Sequence, residues 1–193
     1  MDWSLFHRIN DLQESSGRAH GIMPDYAKYG VVIFAGLLLI AGLMSLRTNS
    51  RALARTLWAA GAALVALALN QPIANAVDRA RPYATHPNVH VLISKGADPS
   101  FMSDHSLIAG AVAAGLCFVS LRLGIGALVA ALFMAFARVY VGAHYPGDVL
   151  AGLAFGAVIA AAGISLADRV LAPILDRIAA TTVGRRFTAY ESN

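Results

Sequence analysis

Residues 137–148 read Ala-Arg-Val-Tyr-Val-Gly-Ala-His-Tyr-Pro-Gly-Asp, a cation, an imidazole and a carboxylate lying between two long apolar runs. Such a polar turn between helix-length apolar segments predicts two consecutive membrane spans with chemistry at the membrane surface. Arg138 offers a planar fork of donors suited to a phosphate, His144 a nucleophilic nitrogen, and Asp148 a carboxylate able to hold the imidazole in one tautomer. Pro146-Gly147 separates the last two, so Asp148 is expected to start a helix and to accept the imidazole N–H across a loop-to-helix contact. The other ring nitrogen then stays free to attack phosphorus. At the end of its span Arg138 avoids the roughly 2.5–3.5 kcal/mol that a guanidinium costs at the hydrocarbon centre.

Working outward, five apolar runs near 29–46, 53–73, 104–121, 124–142 and 148–167 approach the length that crosses about 30 Å of hydrocarbon at 1.5 Å per residue. The totals agree: 58% of the 193 residues are hydrophobic and 13% charged, against roughly 25% charged in soluble domains. An all-α integral membrane protein follows, a bundle of about five transmembrane helices plus an N-terminal amphipathic helix. It forms one domain over 1–193, with an interfacial segment at 1–27, a helical core at 28–168 and a cytoplasmic tail at 169–193. Trp3, Leu5, Phe6, Ile9 and Leu12 fall near helical spacing, which suits either a helix in the membrane interface or one packed on the bundle. Ala-Gly-Ala-Val-Ala-Ala-Gly at 109–115 allows close helix contact. The single cysteine, Cys117, excludes an intrachain disulfide and a cysteine zinc site. A net charge of +4 comes from arginines scattered among apolar segments, which excludes a nucleic-acid partner and leaves the lipid bilayer as the surrounding phase.

Orientation follows from those arginines, because short cytoplasmic loops hold the excess of Lys and Arg. Arg47, Arg51 and Arg55, then Arg122, then Arg169, Arg177, Arg185 and Arg186 mark the cytoplasmic side. Segments 74–103 and 143–147 then open to the extracytoplasmic face of the plasma membrane, and they carry nearly all the residues capable of chemistry.

The longer of these segments begins Asn70-Gln71-Pro72-Ile73-Ala74-Asn75-Ala76-Val77-Asp78-Arg79-Ala80-Arg81-Pro82-Tyr83. Arg79 and Arg81, two apart before a proline, suit a polyanion, and an ion pair with Asp78 is the structural alternative for Arg79. Asp98-Pro99-Ser100-Phe101-Met102-Ser103-Asp104-His105-Ser106 leads into the third apolar run. Ser103 or Asp104 can cap that helix, whose free N–H groups favour an anion, and His105 in its first turn can donate a proton to a leaving oxygen. His86 and His90 have no partner at ligand spacing and are read as surface histidines.

Taken in order, these three pieces resemble the type 2 phosphatidic acid phosphatase superfamily, whose signature is Lys-x6-Arg-Pro, Pro-Ser-Gly-His and Ser-Arg-x5-His-x3-Asp. Arg81-Pro82 matches the first motif, Ser103 and His105 the second, and Arg138, His144 and Asp148 the third. The resemblance implies a phosphatase that needs no cofactor or metal, with His144 the nucleophile, His105 the acid and then the base, and Asp148 the orienting carboxylate. Arg81, Arg138, Ser103 and helix N-terminal amides would hold the phosphate of a lipid phosphate or diphosphate. Ala74 stands in place of the motif lysine, Met102 of the proline, Asp104 of the glycine and Ala137 of the serine. Arg79 and Lys95 are the candidates for the missing charge and for a second phosphate. A carboxylate at Asp104 is unfavourable beside a phosphate unless it pairs with an arginine or a substrate-associated cation. An aspartate there is associated with the branch that acts on undecaprenyl diphosphate, with phosphatidate or phosphatidylglycerol phosphate as the alternative substrate. A lipid-binding or transport protein without turnover is the competing class, opposed by the presence of both histidines, and haloperoxidase-like chemistry fits poorly with membrane embedding and the absent lysine.

A cysteine introduced at Ala84 is expected to react with an impermeant reagent on intact cells. Labelling only after permeabilisation would reverse the topology.

Overall fold

The computed structural model describes residues 2–181 apart from Ser16 and Arg18, and among these the chain is helical with no strand. Three short helices come first: α1 (Asp2–Asn10), α2 (Leu12–Ser15) and α3 (Ala19–Tyr29). The apolar bundle follows as α4 (Val31–Leu46), α5 (Ser50–Val77), then α7 (Asp104–Cys117), α8 (Leu121–Tyr140) and α9 (Pro146–Ala162), with the short α6 (Pro82–Thr85) in the long connection. Beyond α9 the chain continues through α10 (Ile164–Leu166), a π-helical turn (Ala167–Leu171) and α11 (Ala172–Ala180). The helix expected to end near 167 therefore runs on, because Ala167 and Ala172 bury against Ala54 and Trp58 of α5. The remainder of the expected cytoplasmic tail, with Arg185 and Arg186, lies outside the described residues.

All five expected apolar segments form helices, but they differ in reach. Among the described residues Ser50–Thr85, Leu121–Tyr140 and Pro146–Ala180 are each long and apolar enough to cross a membrane, and Gly21–Tyr29 with Val31–Leu46, bent by 55° at the break between them, are so only when taken together. At 14 residues α7 covers only about 21 Å, short of the roughly 30 Å of hydrocarbon. It tolerates this because α5, α8 and α9 enclose it; Leu107, Val112 and Leu116 are fully or almost fully buried. The approach of α9 is backbone-close: a Cβ on Gly110 would lie 2.2 Å from the Leu153 carbonyl oxygen, and one on Gly156 2.1 Å from that of Leu107.

Helix ends follow local chemistry. Asn49 caps α5, its Oδ1 accepting from the Ala52 N–H at 2.8 Å, and Asp78 ends that helix in the left-handed region with φ 45°. Pro146 opens α9 at its first turn, where a missing N–H costs nothing. At the far end Arg55 binds Asp168 at 2.7 Å and the Phe118 carbonyl at 2.8 Å, tying the start of α5 to the end of α7 and the π turn. The arginine-bearing turns thus share one end of the bundle, and the segments with the phosphate-type motifs share the other.

The segment expected at the interface is packed on that second end. Phe6 is 1% exposed among Val139, Tyr145 and Val149. Asn10 donates to the His90 and Tyr140 carbonyls at 2.8 and 2.9 Å, and the Asp2 carboxylate meets Arg79 at 2.6 Å and the Gly147 N–H at 2.8 Å. Polar groups that would prefer water or headgroups are satisfied by protein partners instead.

Gly156→Val is expected to lower the thermal midpoint in detergent by at least the ~1–3 kcal/mol equivalent of an overpacked core, since backbone rather than a mobile side chain blocks the added atoms. A midpoint equal to that of the wild type would show that α7 and α9 do not meet there.

Candidate active site

Where α5 and α8 end and α7 and α9 begin, the connecting segments enclose a cleft of about 230 Å³. Asn70, Ala74, Asn75, Arg81, Asp98, Met102, Asp104, His105, Arg138 and His144 contribute to its wall. The loop before α9 turns sharply at Gly142, whose φ of +80° suits glycine and where a Cβ would lie 2.6 Å from the His90 carbonyl oxygen. That turn sends His144 back into the protein.

The His144 imidazole is 2% exposed. Its Nδ1 lies 2.8 Å from the Ser100 carbonyl oxygen, and its Nε2 lies 3.1 Å from Arg138 Nη2 and 3.3 Å from Arg81 Nη1. A carbonyl only accepts and a guanidinium only donates, so this network assigns the proton to Nδ1 and leaves Nε2 with a lone pair. Burial, followed by the charges of Arg138 and Arg81, holds the imidazole pKa well below its ordinary value. The result is a neutral ring with its basic nitrogen beside two cations.

Both cations are anchored by carbonyls from elsewhere in the chain. Arg138 Nη1 donates to the Ala27 carbonyl at 3.0 Å, and Arg81 donates through Nη1 to Ala143 and through Nε to Asp98, each at 3.0 Å. Arg81 Nη2 also pairs with the Asp98 carboxylate. His105 lines the same cleft.

Asp148 departs from expectation. Its carboxylate does not take the imidazole N–H; it accepts from Ser100 Oγ at 2.5 Å, Arg79 Nη1 at 2.6 Å and the Tyr145 N–H at 3.0 Å. Its influence on His144 passes through Ser100, whose hydroxyl it holds and whose carbonyl holds the ring. Arg79 is likewise committed elsewhere: Asp2 and Asp148 take its two terminal nitrogens, and its guanidinium stacks 4.1 Å from the centre of the Tyr145 ring. It therefore does not supply the cation absent at Ala74. Lys95 sits 5.8 Å from the Tyr83 ring centroid and is not part of the cleft wall. Asp104 forms no direct ion pair among the described residues; Asn70 Nδ2 donates to it at 2.7 Å and to the Met102 carbonyl at 3.0 Å, and the Arg138 guanidinium lies within electrostatic reach of its carboxylate. Ser103 is fully buried at the start of α7, accepting from Ser106 Oγ at 3.3 Å, one position behind the wall formed by Met102, Asp104 and His105.

Sequence reading missed several contributors. Asn70, Asp98 and Ser100 stand inside the motif-bearing segments, and their polarity beside apolar runs was a usable signal. Asp2 reaches Gly147 across 145 positions, a contact that no local pattern announces.

Residues 55–170 match the PAP2 superfamily. The chain belongs to that family. It is 30% identical over 178 residues to undecaprenyl-diphosphatase BcrC of Bacillus subtilis, an alignment covering 92% of this chain and 90% of that protein. It is 30% identical over 155 residues to bacitracin transport permease protein BcrC of Bacillus licheniformis, covering 80% and 75%. Lipid A 1-phosphatase of Rhizobium johnstonii is 40% identical over 86 residues, covering 42% of this chain and 35% of its own. No solved structure matches the chain. Membership in the PAP2 superfamily bears out the expectation of an all-helical membrane-embedded lipid phosphatase, and the matched region contains all three motif segments.

Ser100→Ala and Asp148→Ala remove the two ends of one buried hydrogen bond, so their effects on thermal stability should not add. A double-mutant cycle is expected to return a coupling of about 0.5–3 kcal/mol. Additive losses would mean that the carboxylate does not hold this serine.

Proposed function

We propose that this PAP2-superfamily protein hydrolyses a polyprenyl diphosphate, undecaprenyl diphosphate first, to the monophosphate on the extracytoplasmic face of the plasma membrane, returning a lipid carrier to cell-wall synthesis. The observation that carries the reading is His144 Nε2, unprotonated and within 3.3 Å of two guanidinium groups. A pure binder needs the cations but gains nothing from a lone pair aimed among them. The two arginines donate to that nitrogen; a phosphate would draw those donors to its oxygens and release the lone pair for attack. The buried Nε of Arg138, without a partner among the described residues, is a further donor for such an oxygen.

Nε2 of His144 forms a bond to the terminal phosphorus while the bond from phosphorus to the bridging oxygen breaks, leaving a phosphohistidine. His105 gives its proton to that oxygen. Water then attacks the phosphohistidine with His105 as base, restoring both histidines. Arg81 and Arg138 spread the charge that gathers on the equatorial oxygens. Asp148 acts as a positioning residue through Ser100. The substrate assignment rests on similarity to the Bacillus subtilis undecaprenyl-diphosphatase and on Asp104 in the second motif. Phosphatidate and phosphatidylglycerol phosphate are the alternative substrates, and the position of the basic turns at the opposite end supports the outward orientation.

Phosphate release across a panel of lipid mono- and diphosphates, with chelator and no added metal, should be greatest with polyprenyl diphosphate. Preference for phosphatidate would replace the substrate, and no release from any member would remove the enzyme. His144→Ala is expected to lower release by ~10⁴-fold or more with the fold intact, and His105→Ala by about 10²–10⁴-fold. Because the His144 pKa lies below its ordinary value, the neutral nucleophile persists into acid. The acid limb of kcat/KM, corrected for substrate ionisation, should fall below about pH 6.5. A limb above that value would contradict the buried neutral ring.

A further inference from the structure

A second polar cleft of about 250 Å³ adjoins the first, sharing Arg81, Asp98, His105 and Arg138 with it and adding Lys28, Tyr83, Ile93, Ser94 and Gly96. The elements around it are held in place. Tyr83 Oη donates to the Gly96 carbonyl and accepts from the Gly96 N–H, both at 2.9 Å, which pins the loop. On the other side the last turn of α3 is tied to the site by the Ala27 carbonyl, which accepts from Arg138 Nη1 at 3.0 Å. Tyr26 Oη also bonds the Ala130 carbonyl at 2.9 Å, fastening α3 along α8.

Charge is distributed unevenly over the two clefts. Arg79 lies between Asp2 and Asp148, so Arg138 and Arg81, the latter paired with Asp98, are the guanidinium groups beside His144. The Lys28 side chain is exposed, rests 4.9 Å from the centre of the Tyr29 ring, and belongs to none of these ion pairs. Asp25 adds a more distant attraction to it. Lys28 is among the residues bordering the second cleft, and its four-carbon stem lets the ammonium turn from the Tyr29 ring toward it. Two phosphates carry more negative charge than Arg81, itself paired with Asp98, and Arg138 together offset, and the position where the family motif has lysine holds Ala74.

We propose that Lys28 binds the inner phosphate of a diphosphate headgroup in this second cleft, and so makes the site prefer diphosphates over phosphate monoesters. The inference rests on the phosphatase reading above. When His144 takes the terminal phosphoryl group, the electron pair of the broken bond stays on the bridging oxygen of the departing lipid monophosphate. His105, which lines both clefts, protonates that oxygen, and Lys28 offsets the charge on the other oxygens of the same phosphate. A monoester leaves as an alcohol and presents no second phosphate to Lys28. The recognised chemistry is thus an anionic leaving group, and the residue that selects it comes from the N-terminal segment rather than from the three motifs.

The test compares purified wild-type protein in detergent with Lys28→Gln and Lys28→Arg, measuring kcat/KM for farnesyl diphosphate and farnesyl monophosphate. Lys28→Gln is expected to lower the diphosphate-to-monophosphate ratio by about 10- to 100-fold, the range of a lost hydrogen bond to a charged group, with Lys28→Arg restoring most of it. An unchanged ratio in Lys28→Gln overturns the subsite while leaving the phosphatase reading intact, and so does a shift produced by Lys95→Gln instead. Wild-type protein that hydrolyses neither compound removes the phosphatase reading and the subsite together.

Discussion

One buried carboxylate holds this site in register. Asp148 is fully inaccessible, and a lone charge in that position would cost several kcal/mol, so its neighbours must satisfy it. Ser100, Arg79 and the Tyr145 amide do so, and they come from two different connections of the bundle. Satisfying one anion therefore joins the long connection after α5 to the start of α9. Arg79 carries the linkage on to Asp2, which in turn binds the Gly147 amide at the first turn of α9. Ser100, held through its side chain, offers its carbonyl to His144 and fixes which ring nitrogen faces the arginines.

The apolar part of the molecule serves the same end differently. Small residues let α9 come so close to α7 that a methyl group on Gly110 or Gly156 would overlap main chain, and the short α7 needs that enclosure because it does not span hydrocarbon unaided. Its N-terminus is consequently set at a fixed height, with Asn70 of α5 bonded to both Met102 and Asp104. Helix packing decides where His105 stands, and the carboxylate network decides where His144 stands.

Residue types and spacing made much of this legible. The apolar runs announced the five helices of the bundle, and Arg81, His105, Arg138 and His144 converge on one cleft from three separate segments. Boundaries were less legible: the third run stops at Cys117 because the turn before Leu121 begins the next helix, and the last continues to Ala180 because alanines at 167 and 172 find a surface on α5. Four positions separate His144 from Asp148, which suggested direct contact. The loop instead turns the ring toward Ser100, and the helix start turns the carboxylate away from it. Arg79 illustrates the same difficulty, since two arginines two apart look equivalent in sequence while one faces a pair of carboxylates and the other faces the cleft.

By itself the sequence determined that the chain is a helical membrane protein with phosphate-type chemistry gathered at one end, because hydropathy and motif spacing are local properties. Tertiary structure alone decided which groups complete that chemistry. Asp2 and Ala27 reach the site from the N-terminal segment, far from the three motifs in sequence, and a buried charge or an open cleft selects partners by proximity in space, which no local pattern encodes.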